Sequence, residues 1–284
     1  FFGASETMPC VISQLPEIAS ATLAFLPWQC LADCVLVCKR WAKISNQLLA
    51  QPHEVATICI DEAGTTAGNP DQQLCTFVAS LPFRPAFAFL LSSGFGNADP
   101  NLAALVAQLP FDCPLIGGKG DGVIGSRHKD GTLVAKEYDA GPSCHTMLVF
   151  PPIKRVKYTL CCVEKSRRSP QGYAADGVES DFRLPLRAMI CLSNDHSLLP
   201  IFLRRVQEYH GSGVHIVGGI AGSKVWINGR KMSKGCVGVG ICGDVNCQSV
   251  IADHSQSMVI PVLDTIQAGF PVPSAAVMFP CVAR

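Results

Sequence analysis

The strongest constraint on the fold of this chain is that part of it is written twice. PAFAFLLSSGF at 85–95 and PLRAMICLSND at 185–195 place Pro, Ala and an apolar run in the same order. Each run is followed by a helical pattern, over 100–109 in the first copy and 198–209 in the second. Each then reaches a short apolar strand with a glycine pair at its end, PLIGG at 114–118 and HIVGG at 215–219. The strand, the helix and the glycine-ended strand recur in the same order, which marks an internal repeat. A third copy begins with PSAAVMFPCVAR at 273–284. A strand there without its helix, in a chain that does not begin with Met, predicts a piece of a longer protein.

Between and around the copies the texture is mostly that of strands. Residues 55–60 read as a strand, 61–70 as a loop and 71–81 as a helix with Leu74, Phe77, Val78 and Leu81 on one face. Strands are expected at 132–138, 146–150 and 156–161, then a polar linker or mobile loop at 166–181, SRRSPQGYAADGVESD. Asn228-Gly229 predicts a tight hairpin, and 235–242 and 248–253 complete the strands.

The chain before residue 52 is different. Pro16 suits the first turn of a helix, where a missing N–H costs nothing. Ile18, Leu23, Phe25 and Leu26 recur at roughly helical spacing, Pro27 interrupts, and Trp28 to Lys39 predicts a second helix carrying Leu31, Val35 and Cys38 at i, i+4 and i+7. Helices this short cannot bury their own apolar faces, so they need a partner surface. The expected fold class is α+β: a small all-helical unit, then a repeated α/β body with mixed sheets and helices packed on them.

Leu15-Pro16-Glu17-Ile18, Phe25-Leu26, Leu31 and Val37-Cys38-Lys39-Arg40-Trp41 resemble the F-box motif in order and spacing. Cys30 stands where many F-boxes have Asp. The resemblance implies an F-box at 10–51 that docks the adaptor Skp1 and, through it, a cullin-RING ligase. The docking residues it implies are Leu15, Pro16, Ile18, Leu26, Leu31, Val37 and Trp41. Trp41 equally suits a role in pinning the helices to the body.

The body resembles the FIST domain, a sensory and ligand-binding type of module. The resemblance is carried by the two glycine pairs, by Phe150-Pro151, by Gly235-Cys236-Val237-Gly238-Val239, and by Cys281 to Arg284, the start of a Cys-x-x-Arg-Gly motif. It implies a FIST N-type region at 52–165, the linker at 166–181, and an incomplete FIST C-type region at 182–284.

Composition narrows the function. The charges sum to +1 and are scattered, which argues against nucleic acid as a partner. No apolar run is long enough for a membrane helix, and no basic-then-apolar leader opens the chain. Fifteen cysteines include no CxxC pair, and Cys242 with Cys247 has no matching pair or His at zinc spacing. Their odd number and apolar settings, as at Cys59, Cys191 and Cys236, predict free thiols in a reducing cytoplasmic or nuclear compartment, with no metal.

Gly120-Asp121-Gly122-Val123-Ile124-Gly125 is a literal GxGxxG. It is followed by Ser-Arg-His-Lys-Asp-Gly, read as a turn, and lacks the helix a dinucleotide site requires, so no cofactor is expected. Cys144-His145 would point to opposite faces of a strand, which argues against a Cys/His enzyme. Arg167-Arg168-Ser169-Pro170 is a candidate phosphorylation site.

The expectation is an adaptor and not an enzyme: a substrate receptor of a Skp1-cullin-F-box ligase, its body recruiting a protein substrate, with ligand gating as an added feature. The alternative is an intracellular small-molecule sensor. For either, Gly117, Gly118, Gly218 and Gly219 are the candidate edge of a small-molecule pocket, because glycine admits close backbone approach.

Overall fold

A computed structural model describes residues 16–49, 54–61, 69–93, 99–120, 123–129, 132–138, 144–178 and 184–247. Leu15, the loop at 62–68, the strand expected at 248–253, the third copy at 273–284 and Cys281 to Arg284 lie outside the described residues.

Three short helices come first: α1 (Pro16–Leu23), α2 (Trp28–Cys34) and α3 (Lys39–Leu49). The single helix expected over 28–39 ends at Cys34. The N–H groups of Leu36 and Val37 donate to the carbonyls of Asp33 and Cys34, a three-residue spacing that tightens the chain into a turn. Ala19, Leu23, Leu31, Cys34, Ile44 and Leu48 close a small core, with Leu26, Trp41 and Leu49 packed against it. Trp28, rather than Trp41, reaches the body. Its ring packs on the body core, and its backbone N–H donates to the Leu81 carbonyl at 3.2 Å.

The body opens with β1 (Ala56–Asp61), α4 (Pro70–Ala79), β2 (Phe87–Ser93), α5 (Leu102–Gln108), β3 (Leu115–Gly120), β4 (Val123–Lys129), β5 (Thr132–Tyr138) and β6 (Cys144–Phe150). It continues with β7 (Val156–Lys165), β8 (Tyr173–Asp176), β9 (Leu186–Ser193), α6 (Leu199–His210), β10 (His215–Ile220), β11 (Lys224–Ile227), β12 (Arg230–Met232) and β13 (Gly235–Gly243). Local chemistry sets several boundaries. Asn69 and Asn101 cap α4 and α5, their side chains accepting from the N–H groups of Asp71 and Ala104. Asn228 and Gly229 both have positive φ, 45° and 81°, as the two-residue hairpin turn demands.

Three expectations change. β4 runs through Ser126–Lys129, where a turn was expected after the GxGxxG glycines. β8 lies within the expected linker at 166–181 and pairs with β7. The glycine pairs sit inside β3 and β10, not at their ends.

The duplication is visible in the topology. One sheet runs β1-β6-β2-β3-β11-β12, and the second runs β10-β9-β13-β7-β8. Each contains the same four-strand unit. In β1-β6-β2-β3 the first two pairings are antiparallel and the last is parallel. β7-β13-β9-β10 repeats that order and sense. Each unit also carries one inserted hairpin, β4–β5 in the first and β11–β12 in the second. The second hairpin crosses over: β11 pairs antiparallel with β3 of the opposite sheet. The division between sheets therefore does not follow the division of the chain at 166–181.

Strand alternation then fixes four layers. Ala88, Leu90, Leu115, Met147 and Val149 face Leu74 and Val78 of α4 and Leu102 and Leu105 of α5. The opposite face of that sheet, with Phe87, Phe89, Ile116, Phe150 and Val225, packs on Cys162, Ile190, Leu192, Val237 and Val239 of the second sheet. The second sheet's outer face, with Cys161, Val163, Met189, Cys191 and Cys236, is covered by Phe202 and Val206 of α6.

Candidate functional site

Strand register brings a polar row together at the carboxyl ends of β2 and β3. Ile60 of β1 pairs with His145 of β6, His145 with Ser92 of β2, Ser92 with Lys119 of β3, and Lys119 with Lys224 of β11. Directly opposed residues share a face, so these side chains point to the helix side of the first sheet. Ser92 is fully buried, His145 is 2% exposed and Lys119 7%. The Ser92 hydroxyl and His145 Nδ1 are 2.7 Å apart. A charged or polar group this far from water is costly unless partnered, and the row partners itself.

The row ends on Asp99, which precedes α5. Its side chain is 9% exposed. Lys224 Nζ donates to Oδ2 at 2.6 Å, Lys231 Nζ donates to the same oxygen at 3.2 Å, and Lys119 Nζ stands 3.8 Å from Oδ1. Burial pushes the Asp99 carboxyl up, but the hydrogen bonds and charges of Lys224 and Lys231 outweigh it and hold it below its ordinary value.

The duplication supplies an internal comparison. The register pairs Leu90 with Gly117 in one unit and Cys191 with Gly218 in the other. Structural equivalence thus runs one residue out of step with the Pro85 and Pro185 alignment. Ser92 corresponds to Ser193. The neighbours of Ser193 are Cys236 and Ile220, where those of Ser92 are His145 and Lys119. One copy keeps an almost apolar row where the other has built a charged one, so the fold itself does not require the charges.

The four glycines named from sequence are not assembled into such a site. A Cβ on Gly117 would run into the Leu90 carbonyl and the Trp226 indole, and one on Gly218 into the Cys191 carbonyl. Gly118 faces Ala221 and Leu192 between the sheets. This is chain packed against chain. Gly219 is half-buried in β10. Two recesses on the body are lined by other residues. One of about 290 Å³ has Leu160, Cys162, Asp176, Ile227, Asn228 and Arg230, and one of about 590 Å³ has Ile58, Gln73, Thr76 and Phe77.

Cys144 and His145 do face opposite ways. Cys144 Sγ lies 3.6 Å from Cys59 Sγ, while His145 meets Ser92. Among the described residues, no group of three His, Cys, Asp or Glu side chains is placed to hold a metal ion.

On the N-terminal helices, the residues named for docking separate into two groups. Ile18 and Val37 are exposed, at 51% and 62%. Leu31 is buried in the helical core, and Leu26 and Trp41 are half-buried against it. Pro16 opens α1. Phe25 and Leu36, which sequence reasoning did not name as docking residues, are 90% and 85% exposed.

What the fold and the row define is a duplicated four-layer α/β domain with one specialised copy. The family model of the FIST N domain matches residues 54–260, and the chain belongs to that family. No F-box family model matches the helices that precede this range. The chain matches no curated protein.

Proposed function

We propose that this chain is the substrate-recognition subunit of a Skp1-cullin-F-box ubiquitin ligase acting in the cytoplasm or nucleus. Its N-terminal helices dock Skp1, and its FIST body recruits a protein substrate. One observation carries the reading. Four of the eight large apolar side chains exposed among the described residues fall in the N-terminal helical segment, Ile18 on α1, Phe25 between α1 and α2, and Leu36 and Val37 between α2 and α3. Those helices already have a closed core of their own. Apolar residues left over on a module that is internally satisfied are a surface for a partner. The chain contributes positioning, holding a substrate beside a conjugating enzyme supplied by the partner subunits.

The test is co-purification with Skp1. Wild type elutes as a stoichiometric complex, and Leu36→Asp with Val37→Asp loses it without changing the thermal transition. A soluble, folded wild type that does not bind Skp1 sinks the adaptor reading.

A second reading, the body as a small-molecule binding unit, is favoured by the polar row. It is compatible with the first as ligand-gated recruitment. Saturable thermal stabilisation of the chain by a small molecule, lost on changing the row, is its test.

A further inference from the structure

We propose that Lys224 and Lys231, with Lys119 behind them and Asp99 between, form a binding site for the phosphate group of a small molecule. The inference rests on the reading of the body as a ligand-binding unit, and not on adaptor docking.

Three ammonium groups converge on one carboxylate. Lys224 and Lys231 reach the same oxygen, Asp99 Oδ2, although they arrive from the two strands of the crossover hairpin. Their side chains are 38% and 42% exposed, whereas those of Asp99 and Lys119 are 9% and 8% exposed. Like charges held this close repel one another, and here three of them share the single carboxylate of Asp99. An anion arriving from solvent would meet both outer ammonium groups, with the inner ion pair as its floor.

The place is the one that chemistry favours. The row stands at the carboxyl ends of the parallel pair β2 and β3, where open α/β sheets receive ligands. The equivalent position in the second copy holds Ile220 instead of Lys119, so this charge is a property of one copy only.

The residue type narrows the ligand. All three cations are lysines, and none is an arginine. Arginine offers a planar fork that binds two oxygens of one carboxylate or one phosphate side by side. Lysine is a point charge, and several of them suit a tetrahedral group that turns an oxygen toward each. Asp99 then sets the positions of the two outer lysines, both of which donate to its Oδ2.

Isothermal titration of the full chain, at fixed ionic strength in chloride, tests this with four probes: inorganic phosphate, glycerol 3-phosphate, acetate and neutral glycerol. Saturable binding of the phosphates over acetate is expected. Lys231→Gln, at an exposed position, should weaken it by at least roughly ten-fold, and Lys224→Gln with Lys231→Gln should abolish it. Lys231→Arg, which keeps the charge, should retain most of it. Tighter binding of glycerol 3-phosphate identifies a phosphate monoester as the ligand, and equal binding identifies free phosphate; both support the site. Saturable binding of acetate or glycerol in place of phosphate overturns the ligand class yet leaves the body a binding unit. No saturable response to any probe, or undiminished phosphate binding by a folded double variant, overturns the site.

Discussion

Gly117 is a position where one methyl group should be felt. It lies in the row Ile58, Met147, Leu90, Gly117 and Trp226, and the fully buried Trp226 ring occupies the space a side chain would take. Gly117→Ala must push either the indole or the β2 backbone, and overpacking of this kind costs about 1–3 kcal/mol. Chemical denaturation should show a loss of that order, and an unchanged midpoint would mean that the strand yields freely. Asp99 makes a prediction in pH. Its folded carboxyl is held below the value of 3.8 it has when unfolded, so its contribution to stability is present above that value. The contribution fades as pH falls through the lower folded value. Asp99→Asn should therefore be less stable than wild type at pH 7, and the gap should narrow as pH is lowered through and below 3.8. A gap that stays constant across that range would show that the ion pairs contribute nothing to folding. Neither residue's role can be read from the chain alone. Gly117 resembled a ligand-facing glycine because sequence shows that a side chain is missing, not what fills its place. Ser92, Lys119 and His145 are far apart in sequence and meet only through two strand registers. The one local hint was Ser92-Ser93 closing an apolar run and Lys119 following the glycine pair.

At the scale of elements, the two strand–helix–strand copies were legible, because their apolar runs and helical spacings are local and repeated. The path of the β11–β12 hairpin was not. Asn228-Gly229 announces a tight turn but carries no information about which sheet the hairpin joins. What holds it across the gap is partly Asn194, at the end of β9. Its amide nitrogen donates to the carbonyls of Ser223, Met232 and Ser233, and its oxygen accepts from the N–H of Gly235. A single side chain thus clamps both ends of the hairpin, which bears Lys224 and Lys231. Asn194→Ala would leave those backbone groups without their partner, at a cost of about 1–3 kcal/mol. Hydrogen exchange should quicken first at β11 and β12, with β2 and β9 still protected. Uniform loss of protection would place the clamp elsewhere. The same locality explains the misjudged helix over 28–39. Its i, i+4, i+7 spacing is genuine, but tertiary packing takes Leu31 and Cys34 into the core and leaves Cys38 outside.

For the whole molecule, the crossover decides whether two copies make two folding units or one. If each sheet kept its own hairpin, the two copies would touch only through their facing apolar sides. Instead β11 completes the first sheet while β10 and β13, on either side of the hairpin in sequence, stay in the second. The first sheet therefore cannot be complete unless the second half of the chain has folded, and the layer between the sheets draws side chains from both. Trp226 sits at this junction, carried by the second copy and buried in the first sheet's core. Such coupling predicts a single cooperative transition. With Trp28 and Trp41 replaced by Phe, the fluorescence of Trp226 should change in urea at the same midpoint as far-UV circular dichroism. An early Trp226 transition would mean that the hairpin peels off alone. Two dichroism steps would mean that the copies remain separate units in spite of the crossover. Coincidence would make the body a single rigid platform, with the polar row of one copy and the N-terminal helices anchored through Trp28 both resting on the first sheet's core.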